Sequence, residues 1–270
     1  MPFTPSHAAA ILPFLRSPLP VAALAVGSMV PDLPYFVPLG VPRELSHSLL
    51  GVPRELSHSL LGVPVVDLPI GIAVLVLWYL LLRAPVAGLA PAWLRLRLPP
   101  GPRIPVGWRA RVVAVLWVLL ALLVGVATHL VWDAFTHPDG WVVLRLPAMS
   151  EQLGPFAVYR WLQYLSSVAG AVIIAVWTAL WVARTPRGSD PARRQATVVQ
   201  RLVAWILVAG SLVVIGLIVW ISGLVGGIPP LDRVLVYRTA VLSISSSGVV
   251  AVLCVIGWYL LPKRGQPTSP

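Results

Sequence analysis

Charge is what this sequence has least of. Only 11% of its 270 residues are charged, less than half of the roughly 25% typical of a soluble domain. That leaves too few charged groups to cover a water-facing surface. Acids are scarcer than bases, 9 against 20, and Lys263 is the only lysine. The single cysteine, Cys254, excludes an intrachain disulfide and a thiolate metal cluster. Histidine is absent after His137, so imidazole chemistry is confined to the first half. No basic residue precedes Arg16 in the apolar segment Ala8–Leu39, whereas a secretory signal places basic residues ahead of its apolar core; this segment is expected to stay on the protein.

Apolar residues fill the gap. They make up 58% of the chain, and the mean hydropathy is +0.87, which excludes disorder. Twelve Trp and 28 Pro exclude low complexity. In a soluble protein a net charge of +11 would point to nucleic acid. Here the arginines lie in short segments between apolar runs, which suits orientation in a lipid bilayer and makes nucleic acid an unexpected partner.

Five stretches are long and apolar enough to cross a bilayer: Val66–Leu82, Val112–Trp132, Leu162–Val182, Leu202–Val225 and Thr239–Leu261. Aromatic residues gather near their ends, among them Trp78, Tyr79, Trp132, Trp161, Trp181, Trp220 and Trp258, as in an interfacial belt. Residues 83–111 hold six Arg and no acid, while 133–161 hold two Arg and three acids. The positive-inside rule then predicts a cytoplasmic membrane protein with the loops after the first and third spans, and the C-terminus, in the cytoplasm. The fold class expected is all-α, a polytopic membrane helix bundle of five spans. An N-terminal segment would add a re-entrant element or a helical hairpin, because Ala8–Leu39 is broken by six prolines. Residues 1–140 read as the functional half and 141–270 as membrane scaffold.

Residues 40–50 read GVPRELSHSLL, and residues 51–61 read GVPRELSHSLL again. A solenoid needs more copies and tolerates drift, so this is a tandem duplication. It leaves His47 and His58 equivalent.

The sharpest pattern is His129-Leu-Val-Trp-Asp133-Ala-Phe-Thr-His137. Positions i, i+4 and i+8 stay on one helix face, and imidazole with carboxylate on one face suits a divalent metal such as zinc. His129 lies 18 residues beyond Arg111, roughly 27 Å along a helix, which places the group at the outer hydrocarbon boundary. Two readings stand side by side: a metal site, and an interfacial turn whose polar groups bond to headgroups and backbone. His7, Asp32, and His47 or His58 are the further candidate ligands. Asp32 and Asp67, each next to proline or one residue from it, could also cap turns, and for Asp67 capping is the expected role. Asp139 and Glu151 are loop acids on the outer side.

The order of these motifs carries a resemblance. Met-Pro-Phe-Thr-Pro-Ser-His at the N-terminus, Gly-Ser-Met-Val-Pro-Asp-Leu-Pro-Tyr-Phe, Ser-His-Ser-Leu-Leu-Gly, Val-Asp-Leu-Pro and Thr-His-Leu-Val-Trp-Asp-Ala-Phe-Thr-His-Pro resemble the domain-of-unknown-function 4184 family of bacterial membrane proteins. The order is similar to that of a family labelled inner-membrane metal-dependent hydrolases, and more distantly to the all-helical zinc-dependent phospholipase C and nuclease P1 group. That similarity implies ligand roles for His7, Asp32, His47 or His58, His129 and Asp133, with His137 beside them. Two features depart from the soluble group: no His follows His137, and the amino-terminal ligand has no equivalent, which implies one metal or at most two.

The reading is a membrane protein holding zinc or another divalent ion at its outer face and hydrolysing a lipid or phosphoester. Its rival is a non-enzymatic transport or assembly protein using the same polar cluster. The interiors of the last three runs offer only Ser and Thr as polar groups, and a pump would place ionisable groups at midplane. Haem held by His7 and His129 is a third idea.

Overall fold

The computed structural model describes residues 4–36, 61–102, 105–188, 195–230 and 232–260. His47, His58 and nearly all of the tandem repeat lie outside the described residues, as does Leu261. Almost everything described is helical. The principal helices are α1 (Val21–Gly27), α2 (Val63–Leu89), α3 (Trp108–Thr136), α4 (Val158–Arg184), α5 (Val198–Val225) and α6 (Arg233–Leu260). Between α3 and α4 runs a hairpin, Gln152–Leu153 against Phe156–Ala157, turned by Gly154 at φ 65°.

Five helices, α2 to α6, are long and apolar enough to cross a membrane. Each expected span falls on one of them, but the helices run longer: Val112–Trp132 becomes Trp108–Thr136, and Val66–Leu82 becomes Val63–Leu89. The added turns carry Arg, Trp or Pro, which interrupt an apolar run without ending the helix. In α2 the backbone widens to a π-helix at Val63–Asp67 and again at Trp78–Leu82. Each wide stretch shortly precedes a proline, Pro69 and Pro85. A proline ring clashes with the carbonyl four residues back, and a π turn gives it room.

The N-terminal segment is a pair of short helices, as the hairpin alternative expects. Thr4–Arg16 is a 3-10 helix and α1 follows after a turn in which Ser17 Oγ donates to the Phe14 carbonyl at 2.6 Å. Thirteen residues is long for a 3-10 helix, since runs beyond three or four are uncommon. Its period of three puts Thr4, His7 and Ala10 on one face.

Residues fall into two compact units. The first takes the N-terminal segment to Pro34, the start of α2, α3 and α4. Its core is Ile11, Leu19, Ala23, Leu24, Leu75, Ala121 and Leu122. Here α1 crosses α3 at backbone contact. A Cβ on Gly125 would stand 2.7 Å from Ser28 N and 2.8 Å from Gly27 Cα, and one on Gly27 would strike the Leu122 carbonyl. Thr4–Arg16 meets α4 as closely, with a Cβ at Gly170 falling 2.8 Å from Ser6 Cβ. Ser6 Oγ also donates to the Ser167 carbonyl at 2.7 Å. Small residues allow this approach where lipid gives no hydrophobic drive to pack helices.

The second unit pairs α5 with α6. Ser211 and Ser247 hydroxyls meet at 3.1 Å, and Gly216 faces Ser243. A capping box at Thr197 and Gln200 starts α5. Buried Arg95 is satisfied by the Ala90 carbonyl at 3.0 Å and Gln195 Oε1 at 3.2 Å.

The α1–α3 contact gives the first prediction. Gly125→Ala should lower the thermal midpoint of the detergent-purified protein, by the about 1–3 kcal/mol that overpacking costs. Gly248→Ala, where a Cβ meets nothing within 4 Å, should leave it unchanged or slightly raised. Tryptophan fluorescence during heating reads both, and equal shifts would contradict the close contact.

Candidate metal centre

Three pieces of chain meet at one end of α3. The 3-10 face brings Thr4 and His7, the turn after α1 brings Ser28 and Asp32, and the last turns of α3 bring His129 and Asp133. Ligand atoms of His7, Asp32 and His129 lie within 4.8 Å of one another, and all three residues are buried. Asp133 and His137 are buried as well, at 5% and 4% exposure.

The spacings discriminate between kinds of contact. His129 Nε2 is 3.4 Å from Asp133 Oδ2 and 3.8 Å from Asp32 Oδ1, and His7 Nε2 is 3.6 Å from Asp133 Oδ1. These exceed the 2.7–3.2 Å of an ordinary N–H···O bond. Zinc–nitrogen and zinc–oxygen bonds of about 2.0–2.2 Å put tetrahedral ligands roughly 3.3–3.6 Å apart. The observed pairs cluster around that edge.

The His129 tautomer follows from a backbone contact. His129 Nδ1 is 2.9 Å from the Ser28 carbonyl, which can only accept, so Nδ1 carries the proton. In the neutral ring Nε2 then turns a lone pair toward Asp32 and Asp133. Negative oxygens facing a lone pair require a cation between them, either a proton or a metal. A backbone carbonyl fixing Nδ1–H is the usual support for a ligating imidazole. Asp32 is steadied in turn by Thr4, whose hydroxyl donates to Oδ2 at 2.7 Å.

His7 stacks on His129, ring centroids 4.0 Å apart and planes at 22°. Neither of its ring nitrogens has a hydrogen-bond partner among the described residues. Burial, followed by the neighbouring His129, pushes its pKa down to about 4. His7 is therefore neutral at pH 7, the form that ligates metal. The stacking also settles the haem idea: rings face to face at 4.0 Å leave no room for a macrocycle between them.

The other expected residues divide. The i+8 spacing puts His137 on the helix face, but α3 ends at Thr136 and His137 is its extended C-cap, φ −114°. Its ring nevertheless reaches back, Nδ1 at 3.3 Å from Asp133 Oδ2. It joins the cluster through Asp133 and stands outside the group of three. Asp67 does not cap a turn ahead of the span: it lies inside α2, fully buried. Four residues on, Gly71 packs on Leu122 of α3. Asp139 and Glu151 are exposed, unlike the buried group. Thr4 and Ser28 escape the sequence reading. Thr4 stands three residues before His7, a spacing that has meaning only once the segment is known to be 3-10, and Ser28 acts through its backbone.

Fold and cluster define a class, a polytopic α-helical membrane protein with a buried His/Asp group at the end of one span. The model of the family described as Domain of unknown function (DUF4184) matches residues 1–256, and the chain belongs to that family. No curated protein and no solved structure matches it.

His7 makes stability depend on pH. Its folded pKa lies below the ordinary histidine value of 6.5, so between 6.5 and about 4 the unfolded chain binds the proton that the fold refuses. In chelator-treated protein, stability should hold above pH 6.5 and fall as pH drops toward 4. His7→Gln should flatten that slope in thermal melts taken across this range; an unchanged slope would assign it to other groups.

Proposed function

We propose that this protein is a divalent-metal-dependent hydrolase working at the membrane surface on an ester or phosphoester, with zinc the first candidate ion. The observation that carries the reading is the convergence of His7, Asp32 and His129, far apart in sequence, with ligand atoms within 4.8 Å, around Asp133, whose two oxygens lie 3.4 Å from His129 and 3.6 Å from His7. Charge supports it. Asp32 and Asp133 are buried beside a neutral His7, and two buried carboxylates need compensation; a divalent cation matches their summed charge.

His7, Asp32 and His129 would hold the ion, with one oxygen of Asp133 as a fourth ligand. When bound, such an ion supplies Lewis acidity toward a phosphoryl or acyl oxygen and makes hydroxide accessible near neutral pH. Thr4 and the Ser28 carbonyl orient Asp32 and His129. Asp133 Oδ2 and His137 Nδ1, 3.3 Å apart, form the pair placed to take up a proton at the end of the helix. His47 or His58 would complete the ligand set if the motif order of the zinc-dependent phospholipase C group carries over. The arginine distribution supports a cytoplasmic membrane location with the C-terminus inside. Among the described residues, the buried acids of the spans are Asp67 on α2 and Asp133 on α3, with none on α4, α5 or α6, which favours a local centre over an ion path running through the later spans.

Metal analysis tests the reading directly. Detergent-purified protein should hold stoichiometric divalent metal, and His129→Ala combined with Asp133→Ala should abolish it. Thr4→Val should keep the fold but weaken metal affinity by about 10–100-fold, the usual cost of losing an outer-shell partner. His47→Ala and His58→Ala, made separately, show which repeat copy contributes. Hydrolysis of bis(p-nitrophenyl) phosphate and p-nitrophenyl butyrate reads the activity. A wild-type protein without stoichiometric metal sinks the proposal.

A further inference from the structure

Beside the cluster, on the faces of α3 and α4, runs a groove of about 410 Å³, within the roughly 300–1,000 Å³ range of small-ligand sites. Val131, Phe135 and Leu162 form its apolar walls and Ala10 lies at its N-terminal side. Its polar side chains are all engaged within the protein. Thr128 Oγ1 donates to the Gly125 carbonyl at 2.7 Å, and Thr136 Oγ1 to the Trp132 carbonyl at 3.1 Å. Trp132 Nε1 donates to Ser166 Oγ at 3.0 Å, and Ser166 Oγ contacts the Gln163 carbonyl at 3.4 Å. A polar ligand would find no free donor there. Hydrocarbon needs none.

Trp132 links groove and cluster. It lines the groove, and its ring lies 5.4 Å from the His7 ring. Thr136, another lining residue, directly precedes His137 and approaches its Nδ1 at 3.4 Å. Ala10 continues the 3-10 face that carries Thr4 and His7. Both helical walls belong to candidate membrane spans, and among the described residues nothing covers the groove on its outer side, the side that faces lipid where those spans cross a bilayer.

The geometry points to this groove as the seat of a hydrocarbon tail of a membrane lipid, held so that the lipid's ester or phosphoester reaches the His7–Asp32–His129 cluster. The assignment of the head to that cluster rests on the metal-centre reading; the assignment of the tail does not. The substrate class is accordingly a lipid with at least one long apolar chain, and a free, water-soluble phosphoester lacks the part that the groove recognises.

The test uses full-length protein in mild detergent, given dioleoyl phosphatidylglycerol, with retained lipid counted by native mass spectrometry and metal measured on the same samples. Ala10→Trp fills the groove from the N-terminal segment, and Val131→Trp fills it from an exposed wall of α3, so a folding defect in the first leaves the second informative. Wild-type protein should retain the lipid through detergent washing, and both variants should lose it roughly tenfold with metal content unchanged. Lipid retention equal to wild type in both variants overturns the proposal. So does a change of oligomeric state without lipid loss, which would assign the groove to a second copy. Lipid lost in both variants, with no metal in any sample, upholds the tail site and overturns the metal centre.

Discussion

Two carboxylates removed from water next to imidazoles that cannot all be protonated are the constraint on which the first unit depends. A buried carboxylate left uncompensated costs several kcal/mol. His7 is held neutral by its burial. His129 is committed by the Ser28 carbonyl to present its other nitrogen to the acids. Within the cluster, Asp32 and Asp133 can be balanced by a proton on His129 or by an ion from outside. The proposed ion rests on distances longer than a hydrogen bond, since a proton alone would draw nitrogen and oxygen to about 2.7–2.9 Å.

Holding that arrangement requires three segments to approach more closely than ordinary side chains permit. Gly27 against Gly125 brings the end of α1 onto the backbone of α3, and the placing of the Ser28 carbonyl and Asp32 follows from that contact. Gly170 against Ser6 does the same for the 3-10 segment on α4. The 3-10 form then has a purpose beyond connection. At 3.6 residues per turn Thr4, His7 and Ala10 would fan across a helix face; at three they line up, with a hydroxyl for Asp32, a ring for His129 and a small residue beside the groove.

How much is legible in the sequence follows from what each signal measures. Apolar runs mark the five spans because the bilayer demands them, but they undercount helix ends, where interfacial positions such as Arg109 and Arg111 are helical and polar at once. His129 and Asp133 are legible from i, i+4 spacing, a local property of a helix. The same spacing carries His137 onto the helix although Pro138 follows it, and a residue before proline is biased out of the α region; that second signal points to the observed C-cap. Asp67 reads as a cap because of its nearby proline, whereas the π turn around it accommodates Pro69 and carries the helix on through it. Thr4, Ser28 and the groove are not legible. They depend on a 3-10 period and on a crossing of α1 with α3 that no local pattern encodes.

The depth of the cluster and the nature of the groove explain each other. Ionisable groups in hydrocarbon are tolerated where protein surrounds them or water reaches them, and the last turns of α3 meet the first condition, since α1 and the 3-10 segment cover their inner face and His129, Asp133 and His137 are buried. A groove descending from that point along α3 and α4 passes from polar cluster to apolar wall across a single indole. A molecule that is itself polar at one end and hydrocarbon at the other matches this gradient without desolvating a charge or exposing a tail. An ion in transit would meet the reverse, a polar group at one end of α3 and then apolar helix with no second buried acid on the later spans among the described residues. The same low charge content that marks the chain as a membrane protein therefore also sets this buried polar cluster apart, and an amphipathic ligand is the occupant that the proposal assigns to it.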